Sequence, residues 1–557
     1  MTSSDDEDVK RAIALSLGKP DPTTTQDGNF TYIESDNDEE IGGTGSNHGK
    51  DARSQKAGEI APVQPASAGL HGLDRKQMEE ERLARKRKAS PTLACSTNKI
   101  LKISHKSPPE TITRPPPTLQ YPQGAVKKTW AYGHGRDGKD IKLEEVLQKT
   151  DLQLAVLSSF QWDTEWLFGK MDLAKTKVTL VMQAKEQSVR EQYGRETQDV
   201  KNLRLCFPNM EGQINCMHSK LMLLSYPSHL RIVVPTANLV PYDWGEDGTM
   251  ENMVFLIDLP RLESDEKAKG EDLSFFGQEL VHFLTAKGVD RHIVDSICSF
   301  DFSATRDFAF VHTIGGAHID SDWQRTGWPG LGTAVSKLNL ETKEALKIDF
   351  VTSSVGSLDM DFLGRLYKAC QGDDGLAGYA EKNPRARSSP LGHSASVTNI
   401  QNAINLGFRI YFPTHETVKS SYAGFAGTIC MQSKYYENPK FPKQLLRDAK
   451  SLRDGLLMHH KILFVRPENA RSWAYIGSAN CSESAWGNKV VKDKATKGPK
   501  INCRNWECGV LLPAAMIEGK SGADTGLDSF RGKIPVPIQY PGAEYSGRKP
   551  WYSMEQG

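Results

Sequence analysis

Met217-His218-Ser219-Lys220 is followed by Ala237-Asn238, Trp244 and Glu251, and the same order returns as Met458-His459-His460-Lys461, Ala479-Asn480, Trp486 and Glu507. The His-to-Asn gap is 20 residues in one copy and 21 in the other, and the His-to-Trp gap is 26 and 27. Only the Asn-to-Glu gap differs much, 13 against 27, and the longer one holds a Lys-rich insert. A set of His, Lys, Asn and Glu written twice predicts two halves that meet around one site, each supplying an imidazole and an ammonium.

These residue types suit phosphoryl chemistry. A lysine ammonium such as Lys220 or Lys461 holds a non-bridging phosphate oxygen and offsets charge as phosphorus is attacked. Asn238 and Asn480 can donate amide hydrogen bonds to the same oxygens. Two histidines can divide the work. A neutral imidazole attacks phosphorus to give a phosphohistidine. A protonated one gives its proton to the leaving oxygen, then takes one from water. A carboxylate bonded to each ring would fix its tautomer, a role open to Glu251 and Glu507. With two lysines on the phosphate, neither a metal nor another cofactor is required, and the carboxylate cluster that magnesium favours is missing from the set. A single HxK arises by chance, as His48-Gly49-Lys50 illustrates; two copies at matched spacing do not. The remaining alternative is a duplicated fold whose chemistry has decayed, although both copies keep every chemical residue. Trp244, Trp486, Met217 and Met458 are expected to pack around the site.

The elements that must position these groups alternate between strands and helices. Each His–Lys pair leads into an apolar run, Leu221-Met222-Leu223-Leu224 or Ile462-Leu463-Phe464-Val465. On a strand, residues two apart share a face, so each His would project with its Lys. Val178 to Met182 and Leu230 to Val234 read as strands and Gly277 to Ala286 as a helix, which predicts an α/β layered fold. Residues 372–390 and 487–500 read as loops. The halves are expected at 128–315 and 316–557, with the boundary ahead of Gly327-Trp328-Pro329-Gly330. Residues 1–127 read as a disordered tail, rich in Ser, Thr, Asp, Gly and Pro and without periodicity.

The formal net charge of the 557 residues is +1, so nucleic-acid affinity would have to come from local patches. No apolar run is long enough to span a membrane, and the N-terminus is acidic, so neither a membrane partner nor a secretory signal is expected. The nine Cys are scattered without a CxxC pair, which points to a reduced, intracellular protein without a zinc site. A monomer suffices, because one chain carries both halves of the site.

Two features lie in the tail. Asp5-Asp6-Glu7-Asp8 precedes a segment in which Val9, Ala12, Ile13 and Ser16 share one helical face. The spacing over 5–18 resembles a ubiquitin-interacting motif; the alternative is an acidic amphipathic helix with no partner. Arg82 to Lys88 is a basic cluster that reads as a nuclear import signal, or as a solvated charge run, so the expected location is the nucleus.

The duplicated HxK…Asn pattern resembles the phospholipase D superfamily. Its usual Asp, five residues after the Lys, is replaced here by Ser225 and Arg466, which disfavours lipid cleavage and favours the branch of the metal-independent tyrosyl-DNA phosphodiesterases. The likeness is carried by His218-Ser219-Lys220, Thr236-Ala237-Asn238-Leu239, Ser353-Ser354-Val355-Gly356-Ser357-Leu358, His459-His460-Lys461, Gly477-Ser478-Ala479-Asn480, Ala485-Trp486-Gly487, Glu507-Cys508-Gly509-Val510-Leu511 and a closing Pro550-Trp551. It implies two similar α/β domains about a pseudo-twofold axis with one site between them. It also implies roles. His218 would be the nucleophile, His459 the general acid and then base, and Lys220, Lys461, Asn238 and Asn480 the phosphate ligands. Glu507 would orient His218. Glu251 stands where the family has a Gln that orients the second His. Ser353, Ser354, Ser357 and Ser482 would contact DNA, and Phe160 would stack on a base unless it is buried. The implied substrate is a DNA 3′ phosphate bonded to a topoisomerase-derived tyrosine, on a single-stranded or frayed end. A broader 3′-end phosphodiesterase or nuclease, and a non-catalytic DNA- and ubiquitin-binding adaptor, stay as alternatives.

Overall fold

The computed structural model describes residues 119–263, 270–382, 397–514 and 526–552. The helix expected at 5–18 and the basic cluster at 82–88 lie outside the described residues.

The apolar runs form the middle of two large sheets. In the first, the strands Ala125–Thr129, Met253–Pro260, His229–Pro235, Leu221–Ser225, Leu154–Ser158, Lys177–Val181 and Leu203–Cys206 lie side by side in that order, with Asp140–Ile141 added at the outer edge. In the second, the order is Ala309–Thr313, Asn505–Pro513, Trp473–Gly477, Lys461–Pro467, Leu346–Thr352, Phe408–Phe412 and Leu446–Asp448. The sense of pairing also agrees. Along each series of seven, four antiparallel junctions are followed by two parallel ones. The duplicated motif is therefore the trace of a duplicated sheet.

Neither sheet has a wet face at its centre, which explains unbroken apolar runs where a half-buried strand would alternate. Leu221 and Leu223 of the first sheet share a core with Ile462 and Phe464 of the second. Met222 and Leu224 turn to the opposite face, onto Leu143, Val146 and Leu167 of the short helices Leu143–Leu147 and Thr164–Gly169. Leu463 and Val465 turn likewise onto Trp328, Phe362 and Ile404, from the helices Gly327–Lys337, Met360–Cys370 and Val397–Gly407. The layers run helix, sheet, sheet, helix, and the central core belongs to both halves.

Several expected boundaries move. Position 127 falls inside the first strand, and the chain is already held at Gln120 and Tyr121, whose backbone N–H groups donate to the Asp258 carboxylate at 3.0 Å. Ala309–Thr313 is the edge strand of the second sheet, so that half begins ahead of 316. Gly327-Trp328-Pro329-Gly330 opens a helix, since a proline in the first turn sacrifices an N–H that has no helical partner anyway. Gly327 itself has φ +64°, and a Cβ there would lie 2.4 Å from the Trp486 carbonyl oxygen. The expected loop at 372–390 contains the helix Leu376–Lys382, and that at 487–500 contains the strand Val491–Lys492 and the start of Pro499–Cys503.

Candidate active site

Each half lends a short segment to the other at the junction of the sheets. Cys216–Met217 pairs in parallel with Asn505–Trp506 at the head of a strand of the second sheet. Leu457–Met458 pairs in parallel with Met250–Glu251 in the same relation to the first. The His218 N–H then donates to the Trp506 carbonyl at 3.0 Å and the His459 N–H to the Glu251 carbonyl at 3.1 Å. Each His is thus fixed by the opposite half, and both line one cavity.

His218 Nδ1 lies 2.9 Å from Glu507 Oε2, across the interface. A carboxylate accepts the Nδ1 proton and leaves Nε2 as the basic nitrogen. Glu507 is itself held by the hydroxyl of Ser478 and, at 2.9 Å, by the amide of Asn505. Burial pushes the His218 pKa down to about 4, against the pull of Glu507, so the ring is neutral around pH 7. His459 Nδ1 lies 3.1 Å from a carboxylate as well, but that carboxylate is Asp243. Burial pushes His459 down to about 3. Burial works to raise the Asp243 carboxyl, yet His459, Lys461 and the Asn238 N–H, 2.6 Å away, hold it below the ordinary range.

The expectation that Glu251 orients His459 is therefore corrected. Glu251 accepts from the Ser451 hydroxyl at 2.6 Å and pairs with Arg453, whose guanidinium also donates to the Thr129 carbonyl at 2.9 Å. Its other neighbour is His460, at 3.7 Å. The strand registers explain why. His218 bonds to Trp506 and His459 to Glu251, so Glu251 is the counterpart of Trp506, and the counterpart of Glu507 is Asn252. Thr236 donates to Asn252 Oδ1 as Ser478 does to Glu507. One residue of register on a strand turns a side chain to the opposite face.

The two asparagines are also set alike. Asn480 Oδ1 accepts from the Thr352 hydroxyl, the Ser353 hydroxyl and the Ser354 N–H at 3.1–3.2 Å, which leaves its amide nitrogen for the cavity. Asn238 Oδ1 accepts from the Gln161 N–H at 3.3 Å. Trp244 lies in the core behind it and donates to the Asn238 carbonyl at 2.9 Å. Trp486, Met217 and Met458 are buried as expected.

Lys220 and Lys461 are fully buried, and each donates to the carbonyl of its own His, at 2.8 and 2.7 Å. Burial pushes Lys220 down to about 8, and burial with the like charge of Lys220 pushes Lys461 well below the usual range. Two ammoniums kept near each other out of water favour an anion between them, since its charge offsets both effects.

The cavity is also lined by Phe160, Ser354, Ser357 and Ser482. The Phe160 ring lies 5.3 Å from that of His218, so its neighbour here is the site rather than the core. Ser482 caps the short helix Glu483–Trp486. Ser353 departs from expectation: its side chain is buried and turned to Asn480, a support for that amide rather than a surface for DNA. Gln161, Tyr242, Asp243 and Thr352 were not singled out from the sequence. Asp243 did carry a signal, five residues past Asn238 and beside the repeated Trp244, but its counterpart is Ala485. Comparing copies for identity hides a residue that only one half supplies.

The sequence model described as tyrosyl-DNA phosphodiesterase matches residues 125–546. Tyrosyl-DNA phosphodiesterase 1 of Arabidopsis thaliana is 25% identical over 395 residues, which cover 68% of this chain and 60% of that protein. A probable tyrosyl-DNA phosphodiesterase of Caenorhabditis elegans is 23% identical over 391 residues, 66% of this chain and 78% of its own length. Among solved structures, yeast tyrosyl-DNA phosphodiesterase shares the fold, with a TM-score of 0.55 at 17% identity over 77% of this chain and 99% of that one.

Proposed function

Since this chain belongs to the tyrosyl-DNA phosphodiesterase family, we propose that it hydrolyses the bond between a DNA 3′ phosphate and the tyrosine left by a stalled type IB topoisomerase. The observation that carries this reading is the pair of neutral imidazoles, His218 on Glu507 and His459 on Asp243, facing one cavity, with a buried lysine bonded to the backbone carbonyl of each.

The phosphate sits between Lys220 and Lys461, with the Asn238 and Asn480 amides on its non-bridging oxygens. The Nε2 lone pair of His218 attacks phosphorus, the P–N bond forms, and the P–O bond to tyrosine breaks. The tyrosine oxygen leaves as phenolate or, where His459 is protonated, with the proton of its Nε2. Water then attacks the phosphorus, His459 takes its proton, and the P–N bond breaks to free His218 and a 3′ phosphate end. In the second step His459 must be neutral, the state that burial favours. In the first, phenolate is a good leaving group and asks less of an acid than an alkoxide does. The reaction proceeds without a metal. A monomer in the nucleus, acting on single-stranded or frayed ends and drawn to ubiquitin-modified adducts through residues 5–18, completes the proposal.

A 3′-phosphotyrosyl oligonucleotide incubated with the protein in EDTA tests it. The wild type is expected to release 3′ phosphate, His218→Ala to release none, and His459→Ala to accumulate a covalent protein–DNA species. A folded wild type that leaves the substrate intact would refute the activity. Repair activity unchanged in both variants would favour the adaptor.

A further inference from the structure

Gln161 lines the same cavity, on the loop that follows Leu154–Ser158. Its backbone N–H donates to Asn238 Oδ1, a bond that identifies that atom as the oxygen, because a backbone N–H can only donate. The other side-chain atom of Asn238 is therefore its NH2 group. That group meets Gln161 at 3.3 Å, so the Gln161 atom it meets must be the acceptor, Oε1. The Tyr242 hydroxyl donates to the same Oε1 at 2.7 Å. Both donors converge on the oxygen, and Nε2 of Gln161 has no partner among the described residues. The pseudo-twofold axis puts Ser354 at the equivalent place, where its N–H donates to Asn480 Oδ1 in the same way. A serine hydroxyl is too short to extend beyond the asparagine. The site is therefore asymmetric at this position, with an amide beside Asn238 where the other half has the serine.

We propose that Gln161 is a further phosphate-binding residue, whose Nε2 donates to the non-bridging oxygen that Asn238 also holds. This rests on the phosphodiesterase reading above. One N–H of Asn238 is spent on Gln161 Oε1, so its remaining N–H and the Gln161 amide lie side by side as a paired donor. Charge accumulates on that oxygen as phosphorus is attacked, and a preset donor there speeds the chemical step more than it tightens binding. Tyr242 fixes the amide plane and prevents Gln161 from turning its oxygen toward the anion.

The test uses the full chain, a 3′-phosphotyrosyl oligonucleotide, and its two phosphorothioate diastereomers. Gln161→Leu is expected to lose on the order of 10²-fold in kcat with a smaller change in KM. The wild type should discriminate between the diastereomers, and Gln161→Leu should lose much of that discrimination. Gln161→Glu guards against misfolding, because a carboxylate still accepts from Tyr242 and Asn238. It should keep the wild-type unfolding temperature yet lose at least as much activity as Gln161→Leu. Near-normal turnover by Gln161→Glu would overturn the proposal, leaving Gln161 as a prop for Asn238. An unchanged diastereomer ratio in Gln161→Leu would overturn it equally. A wild type that cleaves none of the substrates would remove the hydrolase reading and this proposal with it, whereas an active wild type isolates the question of Gln161.

Discussion

At the scale of residues, the two imidazoles have the same task of presentation but different supports. Asp243 accepts from both His459 and the Asn238 N–H, so one carboxylate couples the proposed acid–base residue to a proposed phosphate ligand. Asp243→Asn keeps the volume but offers an amide to Nδ1. We expect it to lower kcat by about 10²–10⁴-fold, with the covalent intermediate accumulating on denaturing gels because the second step needs the base. Glu251→Ala should act differently, by leaving Arg453 without its partner. It should cost roughly 3 kcal/mol in denaturant unfolding, with a smaller kinetic effect. The ionisations bound the activity. His218 is neutral above about pH 4, and Lys220 loses its charge above about 8. A plot of kcat/KM against pH should therefore fall below about pH 4, where His218 is protonated, and fall on the alkaline side no later than about pH 8, where Lys220 loses its charge and burial presses Lys461 the same way.

At the scale of elements, the short cross-pairs between halves carry the geometry. Cys216–Met217 on Asn505–Trp506 brings His218 to Glu507, and Trp506 anchors the crossing through its indole N–H, 3.0 Å from the Asn209 carbonyl. Trp506→Ala removes a fully buried ring and that anchor. It should destabilise by about 3–5 kcal/mol, and Glu507→Gln should lower activity without a comparable shift in unfolding temperature. Thermal melts and single-turnover rates on the two variants would separate support from chemistry.

At the scale of the molecule, the core between the sheets belongs to neither half. Ile232 and Val234 meet Ile462 and Ile476 in one cluster. A fragment of residues 119–305 would expose that face, so it should aggregate or stay unfolded when made alone, and co-expression with 306–557 should recover soluble complex. A pH titration of stability reads the site as a whole. The unfolded histidines take up protons near pH 6.5, while His218 and His459 in the folded chain resist down to about 4 and 3. Protons then favour the unfolded state. The histidine contribution to stability should be complete above pH 6.5 and fall as pH drops toward 3, by up to about 3 kcal/mol from His218 alone.

The sequence by itself determined the duplication, the identities of both His–Lys pairs, both Asn residues and Glu507, and hence the α/β class and the chemistry we propose. Those are local patterns of residue type and spacing, and duplication made them visible by writing them twice. What the tertiary structure decided is everything that depends on where strands from opposite halves cross. The partner of His459 is Asp243 because parallel pairing puts Glu251 opposite the backbone of His459, one residue short of the position of Glu507 in the other half. Spacing along the chain could not fix that register, since the gap after Asn238 differs from that after Asn480 and no local signal chooses between adjacent residues on a strand. Ser353 turned inward and Gln161 turned to the cavity for the same reason. Which face a loop residue presents is set by the neighbours it meets across the interface, and those neighbours are distant in sequence.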